Sequence, residues 1–367
     1  MWIWQQEKWP LFTWDNVKIN CILRDVRLKQ GVLIGKMQSH SHDVDQRTLD
    51  TYLTNILNSS AIEGENLNAF SVRSSLAKSL GMSEEKPFPT TLQTDGYAEI
   101  ITDAVENLDA PLTLERILNW HKRLFPKGYS LISPIAGGNL RDNKPMQVVS
   151  GRIDKPKVHF EAPGRESLEQ EISTFLSWFN ESRGDTSLDP LLRAAVAHLW
   201  FLTIHPLADG NGRIARLLTD LALAQAEQQS IRFYAMSVGI AENRNNYYKI
   251  LEQTQKGDLV ITDWLLWFFK TLDITFNKVL TNIDQTIFKT NFWKKTDQTQ
   301  LTSEQVKVLN RMLDGDFENG ISTSQYHKVA KVSKPTATRH LSFLVEQGCL
   351  IKSKAGGRST RYQLYYY

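Results

Sequence analysis

Residues 190–229, PLLRAAVAHLWFLTIHPLADGNGRIARLLTDLALAQAEQQ, place two apolar helical runs on either side of a polar loop. Proline disfavours the helical conformation of the residue before it, so the first run, with Leu199, Leu202 and Ile204 turned inward, must stop near Pro206. The second starts around RIARLLTDLA. Gly210, Asn211 and Gly212 therefore fall at a helix N-terminus, where unpaired N–H groups and the helix dipole favour an anion. Glycine there lets a phosphate approach the backbone closely.

The side chains of HPLADGNGRIAR (205–216) extend that reading. Arg213 adds a planar donor fork in the first turn, and Arg216 follows on nearly the same face. Asp209 beside an anion site is repulsive unless a cation such as Mg²⁺ bridges it to phosphates. His205 at the mouth suits a general base, an effect worth about 10²–10⁴ in rate. The competing reading is a polar turn, with Asp209 and Asn211 making turn bonds and both arginines on a solvated face. GVLIGKM (31–37) is one residue too short for a P-loop and lacks its Ser or Thr.

Elsewhere helical periodicity dominates. VDQRTLDTYLTNILNSSAIEG aligns Leu49, Leu53, Ile56 and Leu57, and further helices are read in 112–125, 166–182, 242–258 and 261–280. NKPMQVVSGRIDKPKVHFEAP reads as a β-hairpin or flap. After Phe292 the texture turns polar, and a new unit begins: a helix capped by Thr302 or Ser303, two more helices, then an extended pair turned at Gly356 and Gly357. That is the winged helix-turn-helix order. The expected fold is mainly α: an N-terminal helical region (1–108), a helical core with a flap (109–290) and a winged helix-turn-helix domain (291–367).

Composition narrows the classes. Of 367 residues, 43 are Lys or Arg and 40 Asp or Glu, so the global balance demands neither nucleic acid nor an anionic membrane. Cys21 and Cys349 form no zinc set and point to a reducing, cytoplasmic setting. No signal peptide or membrane-length apolar run is read.

HPLADGNGRIAR resembles the signature of the Fic family: His, any residue, Phe, any residue, Asp or Glu, then GNGR, two residues and Arg. Leu207 stands where phenylalanine is usual. With the preceding flap and the following NNYYKILE, the similarity covers roughly residues 50–275. It implies transfer of AMP from ATP to a hydroxyl side chain (Ser, Thr or Tyr) of a target protein, with pyrophosphate leaving. His205 would deprotonate the hydroxyl, and Asp209 would hold Mg²⁺ on the α- and β-phosphates. Gly210, Asn211 and Gly212 would cradle the phosphates, Arg213 would take the β-phosphate and Arg216 the γ-phosphate.

SSAIEGEN (59–66) is similar to the family's inhibitory motif in Ser59, Glu63 and Gly64, in the arrangement that places the inhibitory helix N-terminal to the core. Glu63 paired with Arg216 would deny the γ-phosphate its partner; in some members this glutamate also supports AMP removal. Met146, Gln147, Val148 and Val149 of the flap would add a target segment as an extra strand. Tyr247 and Tyr248 would line the adenine or ribose pocket, one of them being core. His198 reads as a buried structural histidine, His40, His42 and Asp43 as a polar loop, and Trp2, Trp4, Trp9 and Trp14 as packing anchors.

Lys334, Arg339 and His340, with Lys352, Lys354, Arg358 and Arg361, form a local basic cluster suited to DNA phosphates or, equally, to dimerisation or target docking. The expected function is a self-restrained protein adenylyltransferase that uses ATP and Mg²⁺, with self-modification among its outcomes. Transfer of other phosphate-containing groups stays open within the enzyme class. The alternative is a DNA-binding regulator with a nucleotide-sensing core.

Overall fold

The computed structural model describes residues 1–38, 44–126, 135, 137–152, 155–228, 234–353 and 360–365. His40, His42 and Asp43 lie outside the described residues, as do Lys354, Gly356, Gly357 and Arg358. The fold is mainly α-helical. In chain order the elements are α1 (Asn16–Gln38), α2 (Val44–Ile62), α3 (Ala69–Ser79), α4 (Leu92–Glu106), α5 (Leu114–Leu124), β1 (Gln147–Arg152), β2 (Lys155–Glu161), α6 (Leu168–Glu181), α7 (Pro190–Ile204), α8 (Asn211–Glu227), α9 (Met236–Glu242), α10 (Arg244–Gln255), α11 (Thr262–Lys295), α12 (Ser303–Leu313), α13 (Thr323–Ala330), α14 (Lys334–Glu346), β3 (Leu350–Lys352) and β4 (Tyr362–Leu364). The chain divides into two compact units, Met1–Asn277 and Lys278–Tyr367. Among the described residues no helix is long and apolar enough to cross a membrane.

In the first unit α7 and α8 form the centre. Asp189 caps α7 by accepting from the Leu191 N–H, and Pro190 sits at its first position, where a missing N–H costs nothing. Every residue of α7 from Leu191 to Ile204 is buried, as befits a helix surrounded on all sides. α1 ties in through Arg27, whose guanidinium donates to both Asp189 carboxylate oxygens at 3.2 and 2.9 Å. The N-terminal tryptophans anchor as expected, apart from one. Trp4 Nε1 donates to the Glu161 carbonyl at 2.7 Å, Trp9 Nε1 donates to Glu171 at 2.9 Å, and Trp2 meets Phe160 edge-on. Trp14 instead donates locally to Asn16.

β1 and β2 pair antiparallel from Gln147↔Glu161 to Arg152↔Lys155. The register jumps between Val148↔Phe160 and Val149↔Val158, so His159 is the extra residue of a β-bulge. In the second unit α12–α14 are followed by the antiparallel β3–β4 pair around Val308, Leu309, Ile321, Tyr326, Leu341 and Leu344. Thr302 caps α12 in a capping box with Gln305.

Candidate active site

His205 ends α7 in the left-handed conformation (φ 51°, ψ 58°), uncommon for a residue with a side chain. Its ring is fixed by Nδ1, 3.1 Å from the Leu202 carbonyl oxygen. A carbonyl can only accept, so Nδ1 carries the proton and Nε2 is left as the basic nitrogen. Burial, with Arg141 adding to it, lowers the imidazole pKa from 6.5 to about 4. The ring is therefore neutral at physiological pH.

The loop then turns through Asp209 into α8, whose N-cap is Gly210 (φ 82°). Glycine carries no capping side chain; the Gly210 N–H donates to Asp209 Oδ1 at 2.5 Å, and the Asn211 and Gly212 N–H groups that follow are of the kind that favour an anion. Asn211 is buried, and its amide bridges Leu207: Oδ1 accepts from the Leu207 N–H at 3.0 Å and Nδ2 donates to the Leu207 carbonyl at 2.8 Å. Its side chain thus braces the loop, and Leu207 itself packs fully inside. The Asp209 side chain is 43% exposed and shares Oδ1 with Arg213 Nη2 at 3.3 Å.

Both motif arginines are buried and engaged by the last turn of α2 and the chain that follows it. Gly64 (φ +84°) reverses direction there, so that Glu63 and Glu65 both face α8. Arg216 donates through Nε to Ser59 Oγ (2.8 Å), and through Nη2 to the Ser59 carbonyl (2.9 Å) and Glu63 Oε1 (2.8 Å). Burial pushes the Glu63 pKa up, but Arg216, with Arg213 and Arg244 behind it, outweighs that and holds it below the usual range. Arg213 donates through Nη1 to Glu65 Oε2 (2.8 Å) and to Tyr97 OH (3.0 Å), with its guanidinium over the Phe125 ring at 4.7 Å.

A cavity of about 650 Å³ lies over this loop, lined by Glu63, His205, Asp209–Gly212, the flap residues Met146, Val148 and Val149, and Tyr247 and Tyr248. That volume suits a small-molecule ligand. Tyr247 is buried, and its hydroxyl meets His198 Nε2 at 2.9 Å while His198 Nδ1 meets Thr219 at 2.8 Å. His198 is a core residue, as is the body of Tyr247; Tyr248 is the exposed one of the pair and donates to the Ile62 carbonyl at 3.2 Å. Among the described residues no three His, Cys, Asp or Glu side chains converge as a metal cage. One half-exposed carboxylate lining this cavity fits Mg²⁺ arriving with substrate phosphates, since that ion binds through one or two carboxylates plus substrate oxygens.

Residues 111–223, which contain this loop, match the Fic/DOC family. That stretch of the chain is a Fic domain. Residues 2–82 match a further family, described as a domain of unknown function, DUF4172. The chain is 28% identical over 212 residues to the protein adenylyltransferase Fic of Aedes aegypti, and 29% identical over 218 residues to that of Drosophila virilis. Each match covers 57% of this chain but only 38% and 39% of the relative, so the chain spans well under half the length of these relatives. Among solved structures, a Fic family protein from Desulfovibrio desulfuricans is similar with a TM-score of 0.55 at 18% identity, over 97% of this chain and 98% of that one. A Fic domain protein from Bacteroides thetaiotaomicron gives 0.51 at 20% identity, over 70% and 95%. These two likenesses are likenesses of fold.

The Fic site also uses residues that sequence reading missed. Arg141 is buried and donates through Nε to the His205 carbonyl (2.9 Å) and through Nη2 to the Pro163 carbonyl (2.5 Å), while its N–H donates to the Pro206 carbonyl (3.0 Å). On the flap, the bulged His159 receives the Ser150 hydroxyl on Nε2 (2.5 Å) when its Nδ1 proton goes to Glu252 of α10 (2.7 Å). Arg141 had one signal, an arginine shortly after the glycine pair 137–138. Glu65 and Tyr97 had none, because their partner lies 148 and 116 positions away.

Proposed function

We propose that this protein is a protein adenylyltransferase that moves AMP from ATP to a hydroxyl side chain of a target protein and is restrained by Glu63. The observation that carries the reading is the pairing of a neutral His205, its Nε2 left basic, with an uncapped α8 N-terminus in one cavity. The similarity to insect proteins named as protein adenylyltransferases supports it.

ATP would lie with its phosphates on the Gly210–Gly212 backbone. Mg²⁺ held by Asp209 would neutralise phosphate charge and orient the pyrophosphate leaving group. The target would add a strand to the exposed flap, whose β1 backbone presents Val148 and Val149 to the cavity. His205 Nε2 takes the proton of the target hydroxyl as its oxygen bonds to the α-phosphorus and the bond to the β-phosphate oxygen breaks. Glu63 occupies Arg216, which the γ-phosphate needs, and so misplaces ATP for in-line attack.

The test uses ATP labelled at the α- or the γ-phosphate with wild type, Glu63→Gly and His205→Ala. Label from the α-position is expected on protein, more from Glu63→Gly than from wild type. Adding His205→Ala to Glu63→Gly should lower it by about 10²–10⁴. Transfer from the γ-position instead would make the enzyme a kinase, and no gain on Glu63→Gly would remove the restraint.

A further inference from the structure

The near-neutral charge of the whole chain hides a segregation. Residues 319–367 contain eight Lys or Arg and one Asp or Glu, whereas the 318 residues before them contain 35 and 39. The whole positive excess therefore falls in this C-terminal stretch of sequence, the one that contains α13, α14 and the β3–β4 pair. Such asymmetry within one chain is an electrostatic footprint of a polyanion.

The backbone of that segment has the form that enters a DNA groove. α13 ends at Ala330 and α14 starts at Lys334, leaving a three-residue turn whose first member, Lys331, is left-handed (φ 55°). This is the turn length of a helix-turn-helix. Ser333 caps α14 by accepting from the Thr336 N–H at 3.3 Å. Tyr326 of α13, fully buried, meets His340 Nδ1 at 3.1 Å and fixes α14 against α13.

α14 then has two distinct sides. Ala337, Leu341 and Leu344 are buried in the core of this unit. Lys334, Thr338 and Ser342, at i, i+4 and i+8, are exposed, with Arg339 beside them. The acidic residue of α14 is Glu346, at its far end. Lys352 on β3 and Arg361 next to β4 are exposed as well. The exposed face thus combines cations for phosphates with hydroxyls that can bond base edges.

We propose that α14 and the β3–β4 pair form a binding surface for double-stranded DNA, with the exposed face of α14 from Lys334 to Ser342 entering the major groove. B-DNA admits a helix there, whereas the narrow major groove of A-form RNA does not. Phosphate neutralisation by Lys334, Arg339, Lys352 and Arg361 supplies the affinity, and Thr338 and Ser342 face the bases. This function is separate from the transferase reaction and does not depend on it.

The full chain is titrated into a fluorescein-labelled DNA duplex of mixed sequence, about two helical turns long, and anisotropy is followed as salt is raised. Binding at low salt is expected, with log K falling linearly with log salt. Lys334→Ala/Arg339→Ala should weaken binding roughly tenfold and flatten the slope by about two, with unchanged thermal unfolding. Absence of duplex binding by wild type at low salt would overturn the proposal, as a surface for protein docking would give. So would equal affinity and slope for the double variant, or a matched RNA duplex bound as tightly as DNA.

Discussion

Two glutamates two positions apart do opposite work on the motif arginines. Glu65 is buried with Arg213 and Tyr97, and its carboxylate completes the environment of a guanidinium that cannot reach water. Breaking such a pair from one side costs about 3–5 kcal/mol, so Glu65→Gln should lower unfolding stability by about 3 kcal/mol, read by urea denaturation. Glu63 is more exposed and, in the proposed function, is a movable partner; Glu63→Gly should change stability far less while raising transfer. His205 supplies a second prediction. In the proposed reaction its protonation removes the base, and burial lowers that pKa, so the acid limb of the pH–rate profile for Glu63→Gly should lie well below 6.5, toward about 4. Arg141 holds the His205 carbonyl with a fork that lysine cannot reproduce. Arg141→Lys should lower kcat about tenfold or more through misplacement of the base, with the dissociation constant for ATP unchanged.

The helices around the motif are legible because their apolar residues recur at helical spacing and their ends carry Pro, Asp or Gly. Others were hidden for physical reasons. α3 buries Ser71, Ser74 and Ser75, whose hydroxyls donate to the Pro89 carbonyl, Glu84 and Asp95, so polar residues stand where periodicity looks for apolar ones. α1 contains Gly31 and Gly35 on a side with open space, and its buried Ile19, Leu23, Val26, Leu33 and Met37 carry the helix past them. GVLIGKM is thus helix rather than loop. α4 uses Gly96 for a close crossing, since a Cβ there would sit 2.1 Å from the Arg123 carbonyl oxygen. The flap was legible as a hairpin, but its clasp to α10 through the bulged His159 was not, because a bulge leaves no trace in alternation. His159→Ala or Glu252→Gln should loosen that clasp and raise KM for the target protein severalfold while leaving ATP affinity nearly unchanged, in steady-state transfer assays with Glu63→Gly.

At the scale of the molecule, two fully buried neutral histidines tie stability to pH. Burial lowers His198 to about 3 and His121 to about 4, against 6.5 for an exposed ring. Below 6.5 the unfolded chain takes up protons that the folded chain refuses, so stability is full above that value and declines as pH falls toward 4. The melting temperature should drop across this window, and His198→Gln should make the drop shallower. The loop chemistry was legible because His205, Asp209, Asn211, Arg213 and Arg216 are adjacent in sequence, whereas the supports for that loop come from distant segments. One empty volume joins the two. A Cβ on Gly212 would lie 2.2 Å from Glu63 Oε1, so the carboxylate proposed as the restraint rests where a methyl group would be. On the proposed function, a lineage would lose its brake without altering Glu63 at all: one alanine codon at position 212 would evict the carboxylate, and the same methyl would crowd the proposed phosphate site. Selection for a controllable enzyme and selection for a working one fall on the same missing atom.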